Sequence, residues 1–135
     1  MLVANELHIP IVNEVDIVTA RQRGRALAAE LGFASSEQAL IATAISELAR
    51  NILQYAGRGQ VEITVEHKGG RTGIGVVASD QGPGIPDLRR ALEDGFSTGK
   101  GLGLGLPGTK RIMDDFELVS DVGKGTRVAV KKWVR

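Results

Sequence analysis

Cysteine is absent from the 135 residues, which excludes disulfides, zinc–thiolate centres and thiol nucleophiles. No apolar run approaches the roughly 20 residues that a membrane-spanning helix needs, so no membrane partner is expected. The opening MLVANELHIPIVNE has no basic stretch and carries an acid at Glu6, unlike a secretory leader. Together these absences make the cytoplasm the expected compartment. An excess of one charge is missing too, since 17 basic and 16 acidic residues leave a net charge of +1. A nucleic-acid binder is usually far more basic, with its charge gathered on one face, so no nucleic-acid partner is expected. Small basic groups at Arg21, Arg23 and Arg25, and at Lys131, Lys132 and Arg135, read as solvated surface.

What remains is an ordinary soluble composition, 42% apolar and 24% charged. The length fits one domain over residues 1–135 with one continuous core. Glycine stands out. There are 18 of them, about twice the usual frequency, and they cluster.

Leu7, Ile9 and Ile11 alternate in a short strand, and Pro10 places that strand at a sheet edge. From Glu14 to Leu31, the residues Ile17, Ala20, Gly24, Leu27, Ala28 and Leu31 recur at helical spacing before Gly32. Ser35, Ser36 and Glu37 offer a new N-cap for a helix from Glu37 to Tyr55. Its stripe is Ile41, Ala44, Ile45, Leu48, Ile52 and Tyr55, and Gly57 and Gly59 end it. Val61, Ile63 and Val65 alternate in a strand, and a turn at Lys68–Arg71 leads into a more apolar strand from Gly73 to Ser79. A short helix is expected over Asp87–Glu93, a loop over Asp94–Gly103 and a helix over Leu104–Phe116. Strands over Glu117–Ser120 and Thr126–Val134 close the chain. The order predicts an α/β two-layer sandwich of the α+β kind. Its sheet should be mixed but mostly antiparallel, with helices on one face.

Three segments carry possible chemistry. Glu47 and Asn51, four apart, share one margin of the second helix. There a carboxylate could act as general base and an amide oxygen could ligate Mg²⁺. Taken alone, so common a pair reads as a surface cap on the stripe. Asp80-Gln81-Gly82-Pro83-Gly84 follows a central strand, where open-sheet ligands often sit. A carboxylate there can accept from an exocyclic amine such as that of adenine, and the glycines admit a flat ring. Taken alone, the segment equally fits a plain turn. Gly101-Leu102-Gly103-Leu104-Gly105-Leu106 precedes a helix. Successive backbone N–H groups and the positive helix end suit phosphates. It is neither a Walker A loop nor a Rossmann fingerprint.

Taken together, the three resemble the GHKL (Bergerat-fold) ATPases. Glu47-x-x-x-Asn51 is similar to the N-box, Asp80-x-Gly82-x-Gly84 to the G1 box and Gly101-x-Gly103-x-Gly105 to the G2 box. Gly125-Thr126 is similar to a late Gly-Thr whose hydroxyl helps hold adenine. Within that superfamily the chain resembles the anti-sigma-factor serine kinases, and among these the RsbT-type switch kinases of the stressosome. The resemblance rests on residues 16–33, 43–60 and 80–116 and on the terminal KKWVR.

The resemblance implies a serine/threonine kinase that uses ATP and Mg²⁺. It implies Glu47 as catalytic base and Asn51 as metal ligand. The implied nucleotide contacts are Asn51, Asp80, Gly82, Gly84, Ile85, Lys100, Gly101, Leu102, Gly103, Leu104, Gly105, Leu106 and Thr126. The implied substrates are STAS-domain scaffold proteins, RsbS-like or RsbR-like. A PP2C-type phosphatase, RsbU-like, is the implied second partner, activated on release. The helix bearing Arg21, Arg23 and Arg25 is one candidate surface for it. Two alternatives stay open. One is an anti-sigma factor that captures a sigma subunit and phosphorylates an anti-anti-sigma factor. The other is a nucleotide-binding module without chemistry. A histidine-kinase fragment is a more distant reading, because the chain's two histidines, His8 and His67, lie on expected strands rather than on a dimerising helix.

Overall fold

The computed structural model describes residues 6–82, 105–121 and 123–135. The expected helix at 87–93 and loop at 94–103 lie outside the described residues. The elements are β1 (Glu6–Ile11), α1 (Glu14–Glu30), α2 (Ser35–Ala56), β2 (Gly59–Lys68), β3 (Arg71–Asp80), α3 (Gly105–Ile112), β4 (Asp115–Asp121) and β5 (Gly125–Trp133). The sheet runs β1-β2-β3-β5-β4. Among the described residues every strand pair is antiparallel, so the expected parallel component does not occur there. Pro10 does lie in an edge strand.

Alternation puts one apolar face of the sheet against the helices. Val61 pairs with Ala78, Ile63 with Val76, and Val76 and Ala78 with Val130 and Val128. These six side chains are buried with Ile17, Ala20 and Leu27 of α1 and Ile41, Ala44, Ile45, Leu48 and Ile52 of α2. Truncating a fully buried side chain such as Ile45 to alanine costs about 2–5 kcal/mol. A Cβ on Gly24 of α1 would meet the end of the Ile45 side chain, so any larger residue there would force Ile45 of α2 to move.

Local chemistry explains the helix ends. Asn13 caps α1 through a capping box with Asp16, whose carboxylate accepts from the Asn13 and Val12 N–H groups. α2 starts earlier than expected, at Ser35, with Ala34 as its N-cap and no side-chain cap. The Ser35-Ser36-Glu37 cap is therefore a misreading, since those residues already form the first turn. Gln38 Nε2 donates to Phe33 O at 2.9 Å and ties that turn to the chain before it. α2 ends at Ala56 against Gly57, and Gly59 already belongs to β2.

The largest departure is at α3. It ends at Ile112, not Phe116. Asp114 N donates to Lys131 O at 2.9 Å, and Phe116 pairs with Val130. Long-range pairing with β5 thus overrides the helical spacing. The terminal basic group also differs from the solvated surface expected of it. Lys132 faces the helices, opposite Ile74, and is 7% exposed. Its ammonium donates to Ile112 O, at the C-terminal end of α3, at 2.7 Å, where the helix dipole favours a cation. Lys131 pairs with Glu66, and Arg135 pairs with Asp114.

Candidate nucleotide site

The apolar stripe that seats α2 fixes what stands at its margin. Glu47 is 6% exposed, and a buried carboxylate needs charge or hydrogen-bond partners. It has them on both oxygens. Arg50 Nη1 donates to Oε1 at 2.6 Å. Gly105 N–H, the first residue of α3, donates to Oε2 at 3.3 Å. Glu47 therefore links α2 to α3. Asn51, one turn on, is half-buried beside it.

Asp80 ends β3 directly opposite Thr126 of β5, on the side of Ala78 and Val128 that faces α2. Asp80 Oδ1 accepts from Gly82 N–H at 2.9 Å, an Asx turn that starts the chain's departure from the sheet. Thr126 Oγ1 lies 2.9 Å from Ser120 Oγ of β4. Gly125 makes this corner possible. Its φ is 97°, and a Cβ there would strike the Asp80 carbonyl and the Gln81 backbone.

These pieces border a narrow recess of about 20 Å³ lined by Leu48, Asn51, Ile52, Tyr55, Ala78, Asp80, Leu106, Thr126 and Val128. Apolar side chains make up most of the lining and Asn51, Asp80 and Thr126 supply its polar groups, the mix that suits a flat heteroaromatic ring with polar edge atoms. Asp80 and Gly82 also border a wider polar hollow with Arg58, Gln81 and Lys124. Of the residues singled out in the sequence, Asn51, Asp80, Leu106 and Thr126 meet in the recess. Glu47 and Gly105 touch each other, and Gly82 contacts Asp80. Gly84, Ile85, Lys100, Gly101, Leu102, Gly103 and Leu104 lie outside the described residues.

Sequence reasoning passed over Arg50. Its signal was the i,i+3 spacing to a carboxylate within SELARN. It also read Leu48, Ile52, Tyr55 and Ala78 as core or strand residues only. The edge of a stripe next to a polar pair is where core turns into pocket wall. On the opposite face of the sheet, Glu6, His8 and Glu62 gather, with His8 Nε2 2.8 Å from Glu6 Oε1. That group is remote from the recess.

A model of the histidine kinase-, DNA gyrase B-, and HSP90-like ATPase family matches residues 36–134. The serine/threonine-protein kinase RsbT of Bacillus subtilis (strain 168) is 57% identical over 94% of this chain and 96% of its own length. An anti-sigma F factor of Thermoanaerobacter sp. (strain X514) is 31% identical over 85% of this chain and 83% of its own. Among solved structures, the RsbU and RsbW domains of a Mycobacterium tuberculosis protein match with a TM-score of 0.63 at 20% identity. That match covers 96% of this chain, which spans 32% of the solved chain, and it speaks for the fold alone. The chain belongs to the histidine kinase-, DNA gyrase B- and HSP90-like ATPase family. Within that ATP-binding family it is a serine/threonine-protein kinase of the RsbT type.

Proposed function

We propose that this kinase transfers the γ-phosphoryl group of ATP to a serine or threonine of a STAS-domain scaffold protein, RsbS-like or RsbR-like. After release it engages a PP2C-type phosphatase, RsbU-like, as the second arm of a cytoplasmic partner switch. The whole chain, residues 1–135, acts as one kinase domain in this reading. The observation that carries it is the recess in which Asn51, Asp80, Leu106 and Thr126 converge, with the Glu47 carboxylate held beside it. The 57% identity to RsbT supports the choice of partners.

In this reading adenine lies against the apolar walls and its amine donates a hydrogen bond to Asp80, with Thr126 beside it. Asn51, a neutral hard-oxygen donor, fits Mg²⁺, which takes few protein ligands and completes its shell with water and phosphate oxygens. Asn51 would hold the ion, and the ion would neutralise phosphate charge. The chain's own residues do the rest. The glycine-rich Gly101–Gly105 stretch supplies backbone N–H groups for the phosphates. Glu47 takes the proton of the acceptor hydroxyl as its oxygen bonds to the γ-phosphorus, and ADP leaves. Phosphoryl transfer asks mainly for alignment and charge stabilisation. Incubation with labelled Mg·ATP and a STAS scaffold tests nucleotide use and partner class together. Label must appear on the scaffold, and its absence rejects this acceptor.

The anti-sigma F relatives, at about 31% identity, favour one second reading, capture of a sigma factor. A pull-down with sigma factor against scaffold separates the two.

A further inference from the structure

We infer that Arg50 is a positioning residue for Glu47, holding the carboxylate at the angle from which it takes the hydroxyl proton. This rests on the proposed role of Glu47 as base. The side chain of Glu47 is 7% exposed and its Oε1 receives the Arg50 guanidinium at 2.6 Å, a short charge-assisted contact. From the other side Gly105 N–H holds Oε2. Two directional bonds from two different helices fix the plane of a carboxylate that could otherwise rotate about its long side chain. A carboxylate offers about four acceptor positions, so two such bonds leave others to meet a hydroxyl.

Arg50 is suited to hold without filling space. Its side chain is 38% exposed, and α2 is seated by Ile41, Ile45, Leu48 and Ile52 without it. Its planar fork delivers donors at a fixed angle, which the single ammonium of lysine does not. It also stands in sequence between the base and Asn51, so one helical turn carries the base, its holder and the candidate metal ligand.

The test compares R50A, R50K and E47Q with the unaltered chain, using Mg·ATP and a STAS-domain acceptor. R50A should lower the kcat of transfer about 10- to 100-fold, the scale of a misaligned catalytic group, with KM for ATP unchanged. R50K should recover part of the loss, and added guanidinium should recover part of the loss in R50A. An R50A rate equal to the unaltered chain overturns the inference. So does a loss that neither lysine nor guanidinium relieves and that comes with a lowered melting temperature, because that is a structural effect. E47Q separates this from the reading beneath it. If E47Q transfers at full rate, the base assignment itself is wrong. If E47Q is inactive while R50A is fully active, only the role of Arg50 falls. A measurement that needs no acceptor reads the same hold. In amide NMR spectra R50A should shift the Gly105 resonance as E47Q does, and an unmoved Gly105 signal in R50A overturns the inference.

Discussion

Asp80 and Thr126 face each other across the β3–β5 ladder, and both look toward α2. The backbone pairing of two strands, not a loop, therefore sets the spacing of a carboxylate and a hydroxyl at the recess. A ligand amine needs an acceptor there, and an asparagine can present its NH₂ group instead. Asp80→Asn should weaken ADP binding about 10- to 100-fold, the scale of one lost hydrogen bond to a charged group. Calorimetry on the folded variant measures this, and undiminished affinity would remove Asp80 from the adenine site.

Glu47→Ala should leave ADP affinity within a few-fold of the unaltered chain. Phosphate transfer to a protein acceptor should drop about 10²- to 10⁴-fold, the usual contribution of a positioned base. The pair of readouts matters, because a variant that lost both would point to a displaced α3 and not to a missing base.

Gly125→Ala should damage stability and nucleotide binding together. The position combines a φ of 97° with backbone atoms of Asp80 and Gln81 where a Cβ would go. Gly69→Ala makes the contrast. Its φ is also positive, at 57°, but nothing lies within 4 Å of an added Cβ. The Gly125 variant should melt several degrees below the Gly69 variant, since about 1 kcal/mol moves the midpoint of a domain of this size by a few degrees. Equal midpoints would mean the β3–β5 corner has room to relax.

Acid should loosen the C-terminal end through Asp114. Burial raises the pKa of this carboxyl and is the largest single influence. The Arg135 hydrogen bond, the Trp133 N–H and the charges of Lys132 and Arg135 together outweigh it, so the group lies below its ordinary value. A carboxyl depressed in the folded state adds stability that is fully present above the unfolded value, about pH 4. That stability is lost as the pH falls through the lower folded value. Asp114→Asn should therefore melt lower than the unaltered chain at pH 7, and the gap should close below pH 4. A gap that persists unchanged at low pH would assign the effect to packing.

Much of this was legible in the residues because local period and burial agree. The stripes of α1 and α2, the β2–β3 turn and the edge position of Pro10 all follow from spacing that one face of the core then uses. Glu47 and Asn51 share a helix margin for the same reason. What was not legible depended on a partner far along the chain. Phe116 looks helical beside Ile112 and Met113, yet β5 claims it. Lys132 looks like part of a solvated basic tail, yet its register opposite Ile74 turns it inward, where α3 supplies a carbonyl. Arg50 carries no apolar signal at all, and its meaning comes from the burial of Glu47.

The grip of Lys132 on Ile112 has a mechanical consequence. α3 has eight residues, about 12 Å of helix. One end is tied to the sheet through Lys132, and at the other the Gly105 N–H donates to Glu47 at 3.3 Å. Because Leu106 and Thr109 between these two ties are buried, α3 is a short rigid rod, and a displacement of the last strand at Lys132 is relayed along it to the carboxylate.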